Sequence, residues 1–174
     1  MPRPPSVTSL NIDEAAFSLV RRLGSQALTA RAIAAELGVS TQPLYTMRAS
    51  MEDVQAAVEL RVLVFVEQYL AQESAHAVPG CPYLNIGLRT FELAKEEPQL
   101  FKIFSGLISK TMHEPVPRHV MRAMQVDPRL KGLPERELVR LNELLWIMSQ
   151  GLAAVAIDAG REPAWAREQL VFAA

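Results

Sequence analysis

The chain has a single cysteine, Cys81, among its 174 residues, and this excludes a fold held together by internal disulfide bonds. No apolar run approaches the ~20 residues that a membrane-spanning helix requires. The opening residues, MPRPPSVTSLNIDEAA, contain no apolar stretch of the kind found in secretory signals. We therefore expect a cytoplasmic protein that has no membrane partner.

An excess of positive charge is also missing. Lysine and arginine number 18 against 19 aspartates and glutamates, which gives a formal net charge of −1. This balance excludes a polybasic protein that binds nucleic acid through charge alone. What the chain does have is apolar residues, at 49%, and a chain of this length can bury a sizeable core without cross-links.

Helical spacing dominates the apolar pattern, and convincing strands are absent because β-branched residues are scattered. We therefore predict an all-α protein of about nine helices. The first helix is expected to begin at the N-cap Asn11, with Glu14 at the capping-box position, and to end at Gly24. Proline and glycine place the last two helices at residues 135–159 and 163–173.

Residues 29–46, TARAIAAELGVSTQPLYT, have the pattern of a helix-turn-helix. Gly38 supplies the left-handed backbone of the turn, and Leu44 faces inward between the two helices. Four polar or amphipathic residues then point outward: Ser40, which is expected to cap the second of these helices, with Thr41, Gln42 and Tyr45. Glutamine can form two hydrogen bonds with the edge of adenine, and serine or threonine can reach base edges or phosphates. A plain helical corner would show the same pattern.

The run IAAELGVSTQPLYTMRASMEDV resembles the signature of the tetracycline-repressor (TetR) family of one-component bacterial regulators. The positions that match the family pattern are Thr29, Arg31, Ile33, Ala34, Gly38, Val39, Ser40, Leu44, Tyr45, Ser50, Glu52 and Asp53. The resemblance implies an N-terminal arm and a three-helix DNA-binding domain in residues 1–50. It also implies a helical ligand-binding and dimerisation domain in residues 51–174.

The same resemblance implies which residues contact DNA. They are Thr29, Arg31, Ser40, Thr41, Gln42, Pro43, Tyr45 and Thr46, with Thr29 and Tyr45 on phosphates. We expect Arg48, one of the few cations near this helix, to contact DNA as well. Arg48 departs from the family pattern because it replaces an aromatic residue, and Met51 replaces a lysine that anchors phosphate. Residues 1–60 contain five arginines, no lysine and six acids, so we expect weak non-specific binding with a shallow salt dependence.

A further resemblance links the second half of the chain to a TetR subgroup with a Trp-x-x-x-His-Gly pattern on the eighth helix. Trp146 and Gly151 match this pattern, whereas Gln150 replaces the histidine. The resemblance implies a cavity for a small apolar effector. Its candidate lining residues are Phe65, Tyr69, Phe91, Phe104, Met112, Met121 and Met148. Ordinary core packing would produce the same set.

The eighth helix carries small residues on a second side, and such a side allows a partner helix to approach closely. Together with the ninth helix it is expected to form a four-helix dimer interface. The candidate residues are Trp146, Ser149, Gly151, Ala153, Ala156 and Trp165. The alternative is that this side packs within the same chain.

Catalytic patterns are absent from the sequence. It has no Ser-His-Asp arrangement, no clear acid-base carboxylate pair, no glycine-rich phosphate loop and no metal-ligand spacing, so we expect neither an enzyme nor a cofactor. Cys81 is read either as a sensor thiol or as an incidental one. We therefore predict a homodimeric repressor that binds a palindromic operator in double-stranded DNA and is released by a small apolar effector. The alternatives are a dimeric interaction module and a small all-α enzyme, neither of which would bind DNA.

Overall fold

The computed structural model describes residues 7–111 and 115–173, except for the side chains of residues 156, 172 and 173. Within these ranges the chain forms α-helices and two short 3-10 turns, and no strand, so the predicted all-α class is confirmed. The helices are α1 Ser9–Leu23, α2 Ala30–Leu37, α3 Gln42–Met47, α4 Met51–Leu70, α5 Pro82–Glu96, α6 Pro98–Lys110, α7 Arg118–Val126, α8 Glu135–Ala159 and α9 Pro163–Ala173. None of these helices is long and apolar enough to cross a membrane.

Proline and glycine set the ends of the last two helices. α9 begins at Pro163, and α8 ends just before Gly160, whose φ is +61°. The start of α1 differs from the prediction, because its N-cap is Thr8 and not Asn11. The Thr8 hydroxyl accepts from the Asn11 N–H at 3.2 Å, and the Asn11 side-chain oxygen accepts from the Thr8 N–H at 3.1 Å. Asn11 is therefore the closing residue of the capping box.

Contacts along the chain divide it into two units. Unit 1 contains the residues up to Phe65 and Gln99–Phe104, and unit 2 contains the remaining residues. In unit 1, α1 packs against α2 and α3. The buried apolar residues that form this core recur every three or four positions and include Ile12, Ala16, Val20, Ile33, Leu44, Val54 and Val58. This core holds α2 and α3 against α1.

α5 is the central helix of unit 2, because it packs against α7, α8 and α9. Its buried residues join three apolar clusters: Tyr83 with Met124 and Leu138, Leu84 and Leu88 with Leu170, and Phe91 with Ala166. The Tyr83 hydroxyl also donates to the side-chain oxygen of Asn142 at 2.9 Å. Burying a large apolar side chain contributes about 1.5–3 kcal/mol, so each of these clusters stabilises unit 2.

A buried polar network lies within unit 2, at the carboxyl end of α4. Arg89 donates to the backbone oxygen of Tyr69 through Nε at 3.3 Å and through Nη2 at 3.1 Å. Its Nη1 donates to Glu92 at 2.5 Å, and the Ser74 hydroxyl donates to the other Glu92 oxygen at 2.6 Å. The guanidinium carbon also lies 3.9 Å from the centre of the Tyr69 ring. The Tyr69 oxygen also accepts from the Gln72 N–H at 3.2 Å, so Arg89 reinforces the carboxyl end of α4 with two further donors.

Asp127 is fully buried between α7 and α8. Its carboxylate accepts from the N–H of Arg129 at 3.2 Å, and from the Arg129 Nε and Nη2 at 3.0 and 2.9 Å. Burial alone would raise the pKa of Asp127, but the hydrogen bonds and the charge of Arg129 outweigh burial, and the pKa is lowered. Asp127 is therefore ionised in the folded protein at neutral pH.

Asp127→Asn is expected to lower the free energy of unfolding at neutral pH by about 2 kcal/mol, because hydrogen bonds to a charged acceptor are replaced by weaker ones. A carboxylate whose folded pKa is lowered stabilises the fold above its unfolded pKa of about 3.9, and this stabilisation is lost as the pH falls through the folded pKa. The gap between wild type and variant should therefore shrink in acid, as thermal unfolding across the acid range would show. Asp158→Asn, at an exposed position, serves as the control. A gap that stays constant down to the lowest pH would contradict the prediction.

Candidate nucleic-acid interface

The helix-turn-helix consists of α2, a short turn and α3. Thr29 is the N-cap of α2, and its hydroxyl oxygen accepts from the Ala32 N–H at 3.2 Å. Gly38 ends α2 with φ +67° and ψ +31°, the left-handed conformation that the turn requires, and its N–H donates to the Ala35 oxygen at 3.2 Å. Leu44 is buried and attaches α3 to the core of unit 1.

One side of α3 faces solvent and carries two long side chains. Gln42 is exposed, and the Tyr45 side chain is 59% exposed. Thr46 is also exposed, but its hydroxyl donates back to the Gln42 backbone oxygen at 3.2 Å. Gln42 and Tyr45 are therefore long side chains of α3 that are accessible to a ligand outside the helix.

The residues at the start of α3 differ in exposure to solvent, although the sequence pattern predicted that Ser40 and Thr41 both point outward. Ser40 is exposed, whereas Thr41 and Pro43 are half-buried. Ser40 does not cap the helix: Thr41 occupies the N-cap position, and its side chain makes no capping hydrogen bond. The hydroxyl of Ser40 therefore faces solvent just before the first turn.

Arg31 is the arginine of unit 1, within its described part, that has no ion pair or ring contact. It is exposed on α2, beside Thr29. Arg22, by contrast, donates to both Glu36 oxygens at 2.8 and 3.0 Å, and this hydrogen bonding lowers the pKa of Glu36. Arg31, the cation of α2, is therefore available to a phosphate or a base.

Arg48 was expected to contact DNA, but its guanidinium pairs with the Asp13 carboxylate on α1. The two side chains are only 26% and 19% exposed. The partner could not be identified from the sequence because the two residues are far apart in the chain and neither belongs to a recognisable motif. In this structure the Arg48 guanidinium is engaged by Asp13.

The start of α4 follows the sequence closely. The Ser50 N–H donates to Asp53, and the Asp53 N–H donates to the Ser50 hydroxyl, both at 3.1 Å, which forms a capping box. Met51, at the position of the family lysine, lines a cavity of about 310 Å³ within unit 1. The other lining residues are Val20, Ser25, Gln26, Leu28, Glu52, Gln55, Val58, Glu59 and Ile103. No sequence motif indicates this cavity, because its walls come from three separate segments.

The predicted effector-contacting residues do not share one cluster. Phe65 and Phe104 belong to unit 1, where the Phe65 ring lies 6.1 Å from that of Phe17. Tyr69 belongs to unit 2 and donates its hydroxyl to Glu96 at 2.6 Å. Phe65 therefore packs in the unit that holds the helix-turn-helix.

The remaining effector candidates are also divided among the clusters of unit 2. The Phe91 ring lies 6.5 Å from that of Trp165, which occupies part of its surface. Met121 is half-buried against the Tyr83 cluster, and Met148 is half-buried against the Leu88 cluster. Met112 lies outside the described residues. An effector cavity remains a prediction.

Three of the six predicted dimer residues pack within their own chain. Ser149 and Ala153 are buried, and the Ser149 hydroxyl donates to the Trp146 backbone oxygen at 2.7 Å. Trp165 packs against Phe91 within the chain, and Trp146 is half-buried. The side chain of Ala156 lies outside the described part. Ser149 and Ala153 are therefore corrected to internal packing residues.

The exposed apolar face of α8 lies on a different side of the helix and includes one predicted residue, Gly151. Leu144 and Ile147 are 57% and 62% exposed, and Val155 is 48% exposed. Gly151 and Ala154 are exposed between them. Steps of three and four residues place these five positions on one face of a helix. The sequence did not distinguish this face, because apolar residues occur on both sides of α8.

The fold is similar to that of a TetR-like transcriptional regulator from Rhodococcus sp. RHA1. The TM-score is 0.62 over 98% of this chain and 93% of that chain, with 16% sequence identity. No protein-family model and no curated protein matches the chain in sequence. The chain therefore has a TetR-like fold, which confirms the fold that the sequence resemblance implied.

Proposed function

We propose that the chain is a one-component transcriptional regulator that binds double-stranded operator DNA as a homodimer. The observation that supports this most strongly is the solvent-facing side of α3, where Gln42 and Tyr45 extend from a helix-turn-helix in a TetR-like fold. A recognition helix of this kind enters the major groove with its N-terminal residues toward the base edges. Gln42, in the first turn of α3, occupies such a position.

The proposed contacts fall into two groups. Gln42 would pair with the edge of a base, adenine being the best match for its amide, and Thr41 and Pro43 would contact the groove wall. Thr29, Arg31, Ser40 and Tyr45 would bind phosphates, whereas Thr46, whose hydroxyl proton is donated to the Gln42 oxygen, would only lie against the DNA backbone. The Thr29 hydroxyl accepts from the helix N–H but still has its own proton to donate. Arg48 is left out of the set because Asp13 holds it.

Homodimerisation is proposed through the exposed apolar face of α8. Two copies of a symmetric regulator place their recognition helices in successive major grooves, about 34–36 Å apart, on a near-palindromic site. Leu144, Ile147 and Val155 are large apolar side chains that a partner helix would bury, and Gly151 permits close approach. We expect repression of the target gene in the absence of effector.

The effector is proposed to be small and largely apolar and to bind in unit 2. The half-buried Met121 and Met148 can adapt to irregular apolar ligands, and Tyr69 and Phe91 supply aromatic surface. An effector releases DNA only if it binds one arrangement of the two recognition helices more tightly than the other. The effector and the operator then weaken each other's binding to the same extent.

Tyr45→Ala is expected to weaken binding to every duplex, whereas Gln42→Ala is expected to reduce discrimination against the wrong base by about 1–3 kcal/mol. Fluorescence anisotropy with the DNA upstream of the gene and with a scrambled duplex measures both effects. Gln125→Ala, at an exposed position on α7, is the matched control. Failure of the folded wild-type protein to bind the upstream DNA at low salt would refute the proposed function.

A further inference from the structure

Arg48 connects the end of the recognition helix to α1. Its N–H donates to the Leu44 oxygen at 2.7 Å and closes α3, while its guanidinium contacts the Asp13 carboxylate. The pair borders a groove of about 800 Å³ within unit 1, whose walls include the apolar Leu10, Met47 and Leu60. An ion pair beside apolar groups is screened less by salt than one in open water.

The guanidinium of Arg48 and the carboxylate of Asp13 do not satisfy all of each other's hydrogen-bonding groups. One oxygen of Asp13 and the Nε of Arg48 are buried without a hydrogen-bond partner. The exposed pair of Arg22 and Glu36 differs, because two nitrogens meet two oxygens. Buried groups without partners oppose folding, and arginine forms paired hydrogen bonds readily with phosphate. Exchanging the carboxylate partner for a phosphate would therefore add more hydrogen bonds for Arg48 than for Arg22.

Most of the described arginines of unit 1 contact a carboxylate or an aromatic ring, so the release of Arg48 would change the number of cations that can reach DNA. Arg21 lies over the Phe65 ring at 5.2 Å, and Arg61 lies over the Phe17 ring at 5.0 Å. Arg22 is bound by Glu36, so Arg31 on α2 is the described arginine of unit 1 without such a contact, and Lys102 on α6 is exposed as well. Each additional phosphate contact raises non-specific affinity and steepens its salt dependence. Releasing Arg48 would add one cation directly after α3.

We propose that Asp13 withholds Arg48 from the DNA backbone and thereby keeps the non-specific affinity low. This inference rests on the proposed DNA-binding function. Asp13 acts through Arg48 and is therefore a positioning residue. The weak attraction to random DNA is thus set by one carboxylate on α1 as well as by the small number of cations. Specific binding, which depends on Gln42 and the fit of α3, is affected less.

Asp13→Asn removes the charge with almost no change of shape and tests the proposal. Non-specific affinity for a random duplex should rise, and the slope of log affinity against log salt should steepen by about 0.9, which is one phosphate contact. Raising salt from about 50 to about 200 mM should then reduce affinity about threefold more for the variant than for wild type. Arg48→Gln in the Asp13→Asn background should abolish the gain.

Glu59→Gln is the matched control, because it removes the same charge in unit 1 from a carboxylate that accepts from Gln55 at 2.9 Å. It should leave the salt slope unchanged. An Asp13→Asn protein that unfolds like wild type but keeps the wild-type slope, or binds random DNA less tightly, overturns this inference alone. Absence of duplex binding by the wild-type protein at low salt overturns it together with the proposed function.

Discussion

Ile147→Asp is expected to convert the proposed dimer into a monomer and to lower affinity for the proposed operator DNA by about a hundredfold or more, the loss expected when two linked contacts become independent. Ile147 is the most exposed apolar residue on the α8 face, at 62%, and lies between Leu144 and Gly151. A carboxylate at the centre of an apolar interface must be buried without a partner, and this opposes association strongly.

Size-exclusion chromatography with light scattering measures the change of mass, and anisotropy measures the change of affinity. Val126→Asp is the matched control, because Val126 is 61% exposed on α7, outside the proposed interface. The control should remain dimeric and should bind the operator like wild type. An Ile147→Asp protein that is still a dimer would contradict an interface on this face of α8.

Arg89→Met is expected to lower the free energy of unfolding by about 3–5 kcal/mol, because it leaves the Glu92 carboxylate buried without its cation. It also removes both side-chain donors from the Tyr69 oxygen at the end of α4. For a chain of this size, a loss of this magnitude lowers the melting temperature by roughly 10 °C. Thermal unfolding followed by circular dichroism measures the shift.

The double variant Arg89→Met/Glu92→Met separates the loss of an ion pair from the loss of packing. Replacing both charges with apolar groups of similar length removes the unpaired carboxylate, so the double variant should be more stable than Arg89→Met. Equal stability of the single and double variants would show that the Glu92 charge has little influence. Neither substitution lies on the α3 surface, so DNA affinity at low temperature should be retained.

The sequence was most informative where one residue type has one conformational meaning. Pro163, Gly160 and Gly38 each mark a helix boundary because proline cannot continue a hydrogen-bond ladder and glycine accepts positive φ. The cap of α1 was misplaced because Thr8 and Asn11 are both good N-caps. The apolar pattern, which begins at Ile12, favoured the nearer of them.

Contacts between residues that are far apart in the chain could not be predicted from the sequence. Arg48 follows α3 and was predicted to bind DNA, yet its partner Asp13 lies far back in α1. Ser149 and Ala153 are small and were assigned to a dimer seam, but small residues also allow close packing inside one chain. Aromatic and methionine residues have the same spacing whether they fill a core or line a cavity, so Phe65 could not be assigned to its unit.

The central position of α5 imposes an order on the folding of the newly made chain. Leu84 and Leu88 require Leu170 to complete their cluster, and Phe91 requires Ala166. These partners are in α9, which leaves the ribosome seconds later at a synthesis rate of about 5–20 residues per second. α1, α2 and α3 have their partners close by in sequence and can associate sooner. During synthesis it is therefore unit 2 that presents uncovered apolar surface to chaperones and proteases.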